Sequence, residues 1–260
     1  MLLIQPRSPA ASKLRSSEDC DDWVKRTRQT PWQDPLFRGR FASVKAFADA
    51  RLYGILDLAY VSRRDALRVA ERLLEGGIDI LQLRAKDTDE AQIETLGTEL
   101  VRLTEPAGVP LIINDHPQLV PAIGAQGAHV GQDDFTVADA RWRAGRALTG
   151  EVPRPLIGKS THSLAQATAA AAEGADYIGF GPLFATPTKP GRPPIGLAEI
   201  RRAEEFVSIP VFCIGGINLD TLDDVVAAGA RRVVIVSALL RAADIVAYAR
   251  EVRARLGAGD

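Results

Sequence analysis

Cysteine is scarce in this chain, with only Cys20 and Cys213 among 260 residues. Two such distant thiols exclude a disulfide-dense secreted scaffold and any closely spaced cysteine metal motif. Cys213 sits in an apolar run and reads as a small core residue. Histidine is nearly as rare: His116, His129 and His162 have no zinc-ligand spacing and outline no Ser-His-Asp arrangement. Net charge is also missing. Lys plus Arg number 32 against 33 Asp plus Glu, so no global field gathers nucleic acid or an anionic membrane. No apolar run approaches the roughly 18–20 residues of a membrane span. The opening M-L-L-I-Q-P-R is too short in apolar residues for a secretory leader, and Glu18, Asp19, Asp21 and Asp22 do not suit a transit peptide. The expectation is therefore a cytoplasmic protein with no membrane or nucleic-acid partner.

What is present is ordinary globular material, 46% hydrophobic and 25% charged. Residues 1–50 stand apart. They mix Ser, Pro, Arg and Asp with Trp23, Trp32, Phe37 and Phe41 and keep no period. They read as an N-terminal extension, poorly ordered or carrying one short helix over 41–50; two Trp are unusual in a purely solvated tail.

From Arg51 the pattern becomes regular. Eight apolar runs follow: Leu52–Leu58, Ile78–Leu83, Val109–Ile113, Ala128–Val130, Leu156–Gly158, Tyr177–Gly179, Val211–Ile214 and Val233–Val236. Helical segments lie between them with start and stop signals. Ser62 to Asp65 reads as a capping box closed by Gly76-Gly77, Ser163 opens a helix ended by Gly174, and Asn218 opens one ended by Gly229. Short, continuously apolar strands imply a parallel sheet buried on both faces. Eight strand–helix units over residues 51–260 imply an α/β chain folded as a (β/α)8 TIM barrel. A doubly wound open sheet is the alternative, but no G-x-G-x-x-G follows the first run.

Nearly every strand run ends in polar or glycine-rich residues, and in a barrel those ends meet on one face. They are Gln82-Leu83-Arg84-Ala85-Lys86, Asn114-Asp115-His116, Gln132-Asp133-Asp134, Lys159-Ser160-Thr161-His162, Gly215-Gly216 and Ser237. Alternation puts Gln82, Arg84 and Lys86 on one face, with Arg84 a planar fork suited to phosphate. Asp115 and Asp134 can bind Mg2+, act as a general acid/base pair, or cap helices; Asp133 competes with Asp134. Gly216 and Ser237 begin helices whose backbone N–H groups can cradle a phosphate. The long loop after the sixth run carries Pro182, Pro187, Pro190, Pro193 and Pro194, with Thr186, Thr188, Lys189 and Arg192 between them. Each proline fixes φ, so the loop reads as shaped and suited to an anion.

These motifs resemble the thiamine-phosphate synthase (thiamine-phosphate pyrophosphorylase) family. The matching segments are Q-L-R-A-K at 82–86, N-D at 114–115, H-V-G-Q-D-D at 129–134, S-T-H at 160–162, G-P-L-F-A-T-P-T-K at 181–189, I-G-G-I at 214–217 and V-S-A at 236–238. The resemblance implies a TIM barrel that joins 4-amino-2-methyl-5-(diphosphooxymethyl)pyrimidine to 4-methyl-5-(2-phosphooxyethyl)thiazole, releasing pyrophosphate. It implies that Gln82, Leu83, Arg84, Ala85, Lys86, Asn114 and Ser160 bind the pyrimidine diphosphate, with Lys189 on its diphosphate. It further implies Thr186, Pro187, Thr188, Gly216, Val236 and Ser237 around the thiazole phosphate. Asp115 and Asp134 would hold Mg2+, and Arg84, Lys86, Lys189 and Ser160 would carry catalysis. Small-molecule substrates are the implied partners, and a homo-oligomer is compatible. The chain departs from the family pattern at His116, where Arg is common, and at Lys159, where a small apolar residue is common and where the lysine can restore that charge. The alternatives are a thiazole tautomerase-like relative, a sugar-phosphate barrel, or a precursor-binding protein without catalysis.

Overall fold

Strands buried on both faces must be apolar on both, and this requirement selects Val, Ile and Leu throughout the eight strands of the barrel. The structure, a computed structural model, describes residues 49–145, 154–186 and 193–257. The strands are β1 (Leu52–Asp57), β2 (Ile80–Arg84), β3 (Leu111–Asn114), β4 (Gly127–Val130), β5 (Leu156–Thr161), β6 (Tyr177–Phe180), β7 (Val211–Ile214) and β8 (Val233–Ile235). All pairs are parallel in chain order, and β8 returns to β1 to close the barrel.

Helices fill the connections: α1 (Ala66–Glu75), α2 (Glu90–Thr104), α3 (Val120–Ile123), α4 (Val137–Ala144), α5 (Leu164–Ala172), α6 (Ile200–Phe206), α7 (Leu222–Ala227), α8 (Ser237–Leu240) and α9 (Ile245–Gly257). The (β/α)8 expectation holds. The eight expected runs coincide with the eight strands, with ends moved by a few residues. The largest change is β5, which continues through Lys159, Ser160 and Thr161 because the ladder to β6 pairs each of them.

Several helix signals land one turn away from the helix. Ser62 and Asp65 bond reciprocally, but α1 starts only at Ala66. Asn218 accepts from Asp220 and Thr221 in a turn before α7. Ser237 opens the four-residue α8 rather than the last helix. After the long β6 loop, α6 begins at Ile200. Ser163 does cap α5, accepting from the Gln166 amide.

Side chains alternate between two cores. Tyr53, Ile55, Ile80, Ile112, Leu156, Tyr177, Phe212 and Val234 fill the barrel interior, joined by Ala50. The opposite faces pack under the helices in a larger cluster that includes Leu56, Leu83, Ile113, Ile178 and Cys213. At the N-terminal rim two buried carboxylates tie the chain together. Asp176 accepts from Arg141, Arg154 and the Ile157 amide, and Asp79 from Arg253 and the Arg51 and Leu52 amides. This leaves the C-terminal mouth for chemistry.

Of the expected extension 1–50, all but Asp49 and Ala50 lies outside the described residues. Among the described residues no helix is long and apolar enough to cross a membrane.

Candidate active site at the C-terminal mouth

The inward-facing residues nearest the strand ends define a cavity at this mouth. Gln82, Arg84, Asn114, Ser160, Thr186, Gly216, Val236 and Ser237 all line it. They come from strands or loops all around the barrel, so closure of the sheet brings together positions that span more than half the chain.

Gln82 and Arg84 follow Ile80 on the inner face of β2. The Arg84 guanidinium donates to Asp57 at 2.6 Å, and Asp57 is 1% exposed. Asp57 also accepts from the Ala59 amide, so the carboxylate fixes both the first loop and the guanidinium. Leu83 and Ala85 face the outer core, which leaves their backbone as the part a ligand can meet. Lys86 is exposed at the rim, its ammonium 3.6 Å from the Asp115 carboxylate.

Asp115 has φ +62°, a left-handed conformation uncommon outside glycine. Its carboxyl is held above the usual range. Burial is the main cause and the neighbouring Asp134 the next, with Lys86 pulling the other way. Asp134 accepts from the Gly131 amide at 2.6 Å. Neither carboxylate caps a helix: Thr136 caps α4, and the short 3-10 turn Pro117–Leu119 has no side-chain cap. Among the described residues no three His, Cys, Asp or Glu converge on a metal-binding point. Two carboxylates in mutual repulsion do meet, and that donor set suits a hard cation that takes one or two carboxylates and completes its shell with water and phosphate oxygens.

Opposite this acidic edge, Gly215 and Gly216 adopt φ +100° and +71°. A Cβ on Gly216 would lie 2.6 Å from Phe184 Cβ, so the turn closes only without a side chain. With Ser237 at the start of α8 this wall can offer backbone N–H groups to an anion. The β6–α6 loop is tied at its base. Leu183 and Phe184 donate to Ile214 and Gly215, and the returning Ile195 and Gly196 donate to Pro182 and Leu183. Thr186 ends the outgoing arm; Pro187, Thr188, Lys189 and Arg192 lie outside the described residues.

The departures at 116 and 159 point to different places. Lys159 is on the outer face of β5, buried, donating to the Phe135 carbonyl at 2.8 Å. It cannot stand in for a missing cation in the cavity. His116 lies at the rim between Gln118 and Glu90.

The floor of the cavity carries almost no mark in the sequence. Tyr53, Tyr177 and His129 line the cavity, and none of the three stands at a polar strand end. A polar ring inside the three-residue run Ala128–Val130 is the available signal, but strand alternation alone does not say which face is the interior. His162, at the polar end following β5, also lines the cavity, with Nδ1 on the Gly181 carbonyl.

A closed (β/α)8 barrel with a polar cavity at its C-terminal mouth has the architecture of the barrel enzymes, which place their active sites at this face. The family model for thiamine monophosphate synthase matches residues 52–239, and the chain belongs to that family. It is 46% identical over 187 residues to a thiamine-phosphate synthase of Thermus thermophilus, covering 72% of this chain and 86% of the relative. It is 42% identical over 213 residues to that of Chloroflexus aurantiacus, covering 82% and 95%. Among solved structures, a thiamine phosphate pyrophosphorylase from Pyrococcus furiosus superposes with TM-score 0.72 at 29% identity, covering 82% of this chain and 98% of that one. A 3-hexulose-6-phosphate synthase at 22% identity and TM-score 0.57 shares the barrel alone. The family's activity makes the chain a transferase.

Proposed function

We propose that this protein forms thiamine phosphate by joining the pyrimidine diphosphate to the thiazole phosphate, with pyrophosphate leaving. The observation that carries the proposal is the convergence of Gln82, Arg84, Asn114, Ser160, Thr186, Gly216 and Ser237 on one cavity. The Lys86–Asp115 pair stands beside it, next in chain to Asn114.

In this reading Gln82, Asn114 and Ser160 hold the pyrimidine, and Arg84, Lys86 and Lys189 face its diphosphate. Gly216, Val236, Ser237 and the segment Thr186-Pro187-Thr188 hold the thiazole phosphate. Asp115 and Asp134 would hold Mg2+, which when bound neutralises charge on the departing diphosphate. Preorganised Arg84 and Lys86 add positive charge where the leaving group gains negative charge. The aminopyrimidine ring can delocalise the cation left on its methylene carbon, so departure of the diphosphate runs ahead of attack. The thiazole nitrogen then bonds to that carbon. The cavity walls keep water away from the cation. The protein's partners in this reading are small molecules, in a cytoplasmic setting, and a homo-oligomer is compatible.

The test is pyrophosphate release and thiamine phosphate formation by the purified full chain. Release requiring both substrates and Mg2+, and abolished by EDTA, is the expected result. Saturable binding of either precursor without release would instead support the sensor or tautomerase-like alternative. Lys189→Ala should lower kcat by orders of magnitude while the protein stays folded.

A further inference from the structure

Five side chains from five strands form one hydrogen-bonded chain across the barrel beneath the cavity. Gln82 Nε2 lies 2.7 Å from the Tyr53 hydroxyl, which lies 3.0 Å from the Tyr177 hydroxyl. Tyr177 lies 3.3 Å from His129 Nδ1, and His129 Nε2 lies 3.0 Å from Ser160 Oγ. All five line the cavity, while the two tyrosines are almost wholly buried.

We propose that this chain runs in one direction and that Tyr53, Tyr177 and His129 are positioning residues for Gln82 and Ser160. The Gln82 amide nitrogen donates to Tyr53; Tyr53 donates to Tyr177; Tyr177 donates to His129 Nδ1; and His129 Nε2–H donates to Ser160 Oγ. Ser160 then keeps its own hydroxyl proton for a ligand above it.

The direction follows from counting protons. An amide nitrogen only donates, and each phenol has one proton. Burial pushes both tyrosine hydroxyls well above their ordinary range, so both keep that proton. Tyr53 already accepts from Gln82, so its proton needs an acceptor, and the Tyr177 oxygen is in place. Were Tyr177 to donate to Tyr53 instead, Tyr53 would accept twice and its own proton would face the barrel interior, a costly orphan. Once Tyr177 donates onward, His129 Nδ1 is an acceptor and the ring proton sits on Nε2.

The chemical consequence is specific. A His129 that donates to Ser160 cannot remove its proton, so the 3.0 Å Ser160–His129 pair is a fixed donor arrangement and not an activated nucleophile. Turning the Gln82 amide over reverses every bond and makes the opposite arrangement. The state of one imidazole therefore reports the whole chain.

The experiment uses the full-length protein labelled with 15N-histidine, in which only three imidazoles appear. His129 signals are assigned by their loss in His129→Gln. The expected result is a protonated Nε2 and a bare Nδ1 at His129, a definition that weakens in Tyr177→Phe. That variant keeps the ring packed on Phe212 at 5.8 Å, and its thermal midpoint checks the fold. The functional arm rests on the proposed function. Tyr177→Phe should raise KM for the pyrimidine diphosphate about tenfold, the scale of one lost hydrogen bond, and leave KM for the thiazole phosphate unchanged. His129→Gln, which retains an Nε2–H, should restore turnover that His129→Leu loses. A protonated Nδ1 in the wild type overturns the direction. Equal KM changes for both substrates, or none, overturn the positioning role. If the wild type makes no thiamine phosphate, the proposed function falls. Histidine spectra and calorimetric affinity for the pyrimidine diphosphate, wild type against Tyr177→Phe, then decide the chain by the same criteria.

Discussion

Arg84 and Asp57 are register partners on adjacent strands, and their side chains meet at 2.6 Å with Asp57 almost fully buried. The ion pair makes the guanidinium a fixed part of the barrel wall and not a mobile arm. A cation held before the ligand arrives needs little reorganisation when charge develops on a leaving group.

Asp57→Asn should therefore harm both stability and catalysis. Removing one partner of a buried pair leaves the other uncompensated and costs about 3–5 kcal/mol. Urea unfolding should show that loss. Arg84→Ala, which empties the cavity side, should cut kcat more than Asp57→Asn does. Wild-type stability in Asp57→Asn would mean that Arg84 is held by something else.

Gly216→Ala should act on the phosphate wall alone. The residue sits at φ +71°, where a side chain costs about 1–2 kcal/mol, and the new Cβ would press on Phe184. KM for the thiazole phosphate should rise while KM for the pyrimidine diphosphate holds. Steady-state kinetics varying each substrate in turn distinguishes the two.

Asp115 gives a pH signature in metal-free protein. Its carboxyl titrates above the ordinary range, so the folded chain holds that proton more tightly than the unfolded chain does. The resulting stability is complete below about pH 4, the unfolded value, and is lost as pH rises through the folded value. Asp115→Asn is neutral throughout. Measured in EDTA, the variant should gain thermal stability over wild type as pH rises from about 4 towards neutrality. Added Mg2+ should raise the wild-type midpoint and not the variant's. A difference that does not change with pH would show that the Asp115 carboxyl is not held above the ordinary range.

Lys159→Met should leave turnover unchanged. The ammonium faces the outer layer and donates to a loop carbonyl, so its loss falls on the Phe135 turn. A large fall in kcat would place that lysine's influence inside the cavity, against its strand face.

The barrel was legible because its strands are apolar on both faces and separated by regular helices; even the outer-layer Cys213 followed from its neighbours. The polar strand ends were legible too. Gln82 and Arg84 do share a face, and Asn114, Ser160, Gly216 and Ser237 do converge. What escaped was facing within β5 and β4. Lys159 and Ser160 are adjacent polar residues in sequence, yet alternation sends one out and the other in. No rule of composition tells which, because only closure of the barrel defines its interior. The polar floor stayed hidden for the same reason: Tyr53 and Tyr177 are ordinary strand residues until the sheet brings two non-neighbouring strands face to face.

Gly158 lies in β5 directly under this floor. A Cβ there would stand 2.1 Å from the Tyr177 ring and 2.5 Å from His129 Nδ1. The three positions therefore constrain one another sterically. A larger residue at 158 is admissible only where both rings have shifted or gone, because either one left in place still blocks a Cβ. A homologue bearing alanine at 158 should therefore have a changed floor, visible before any assay is run.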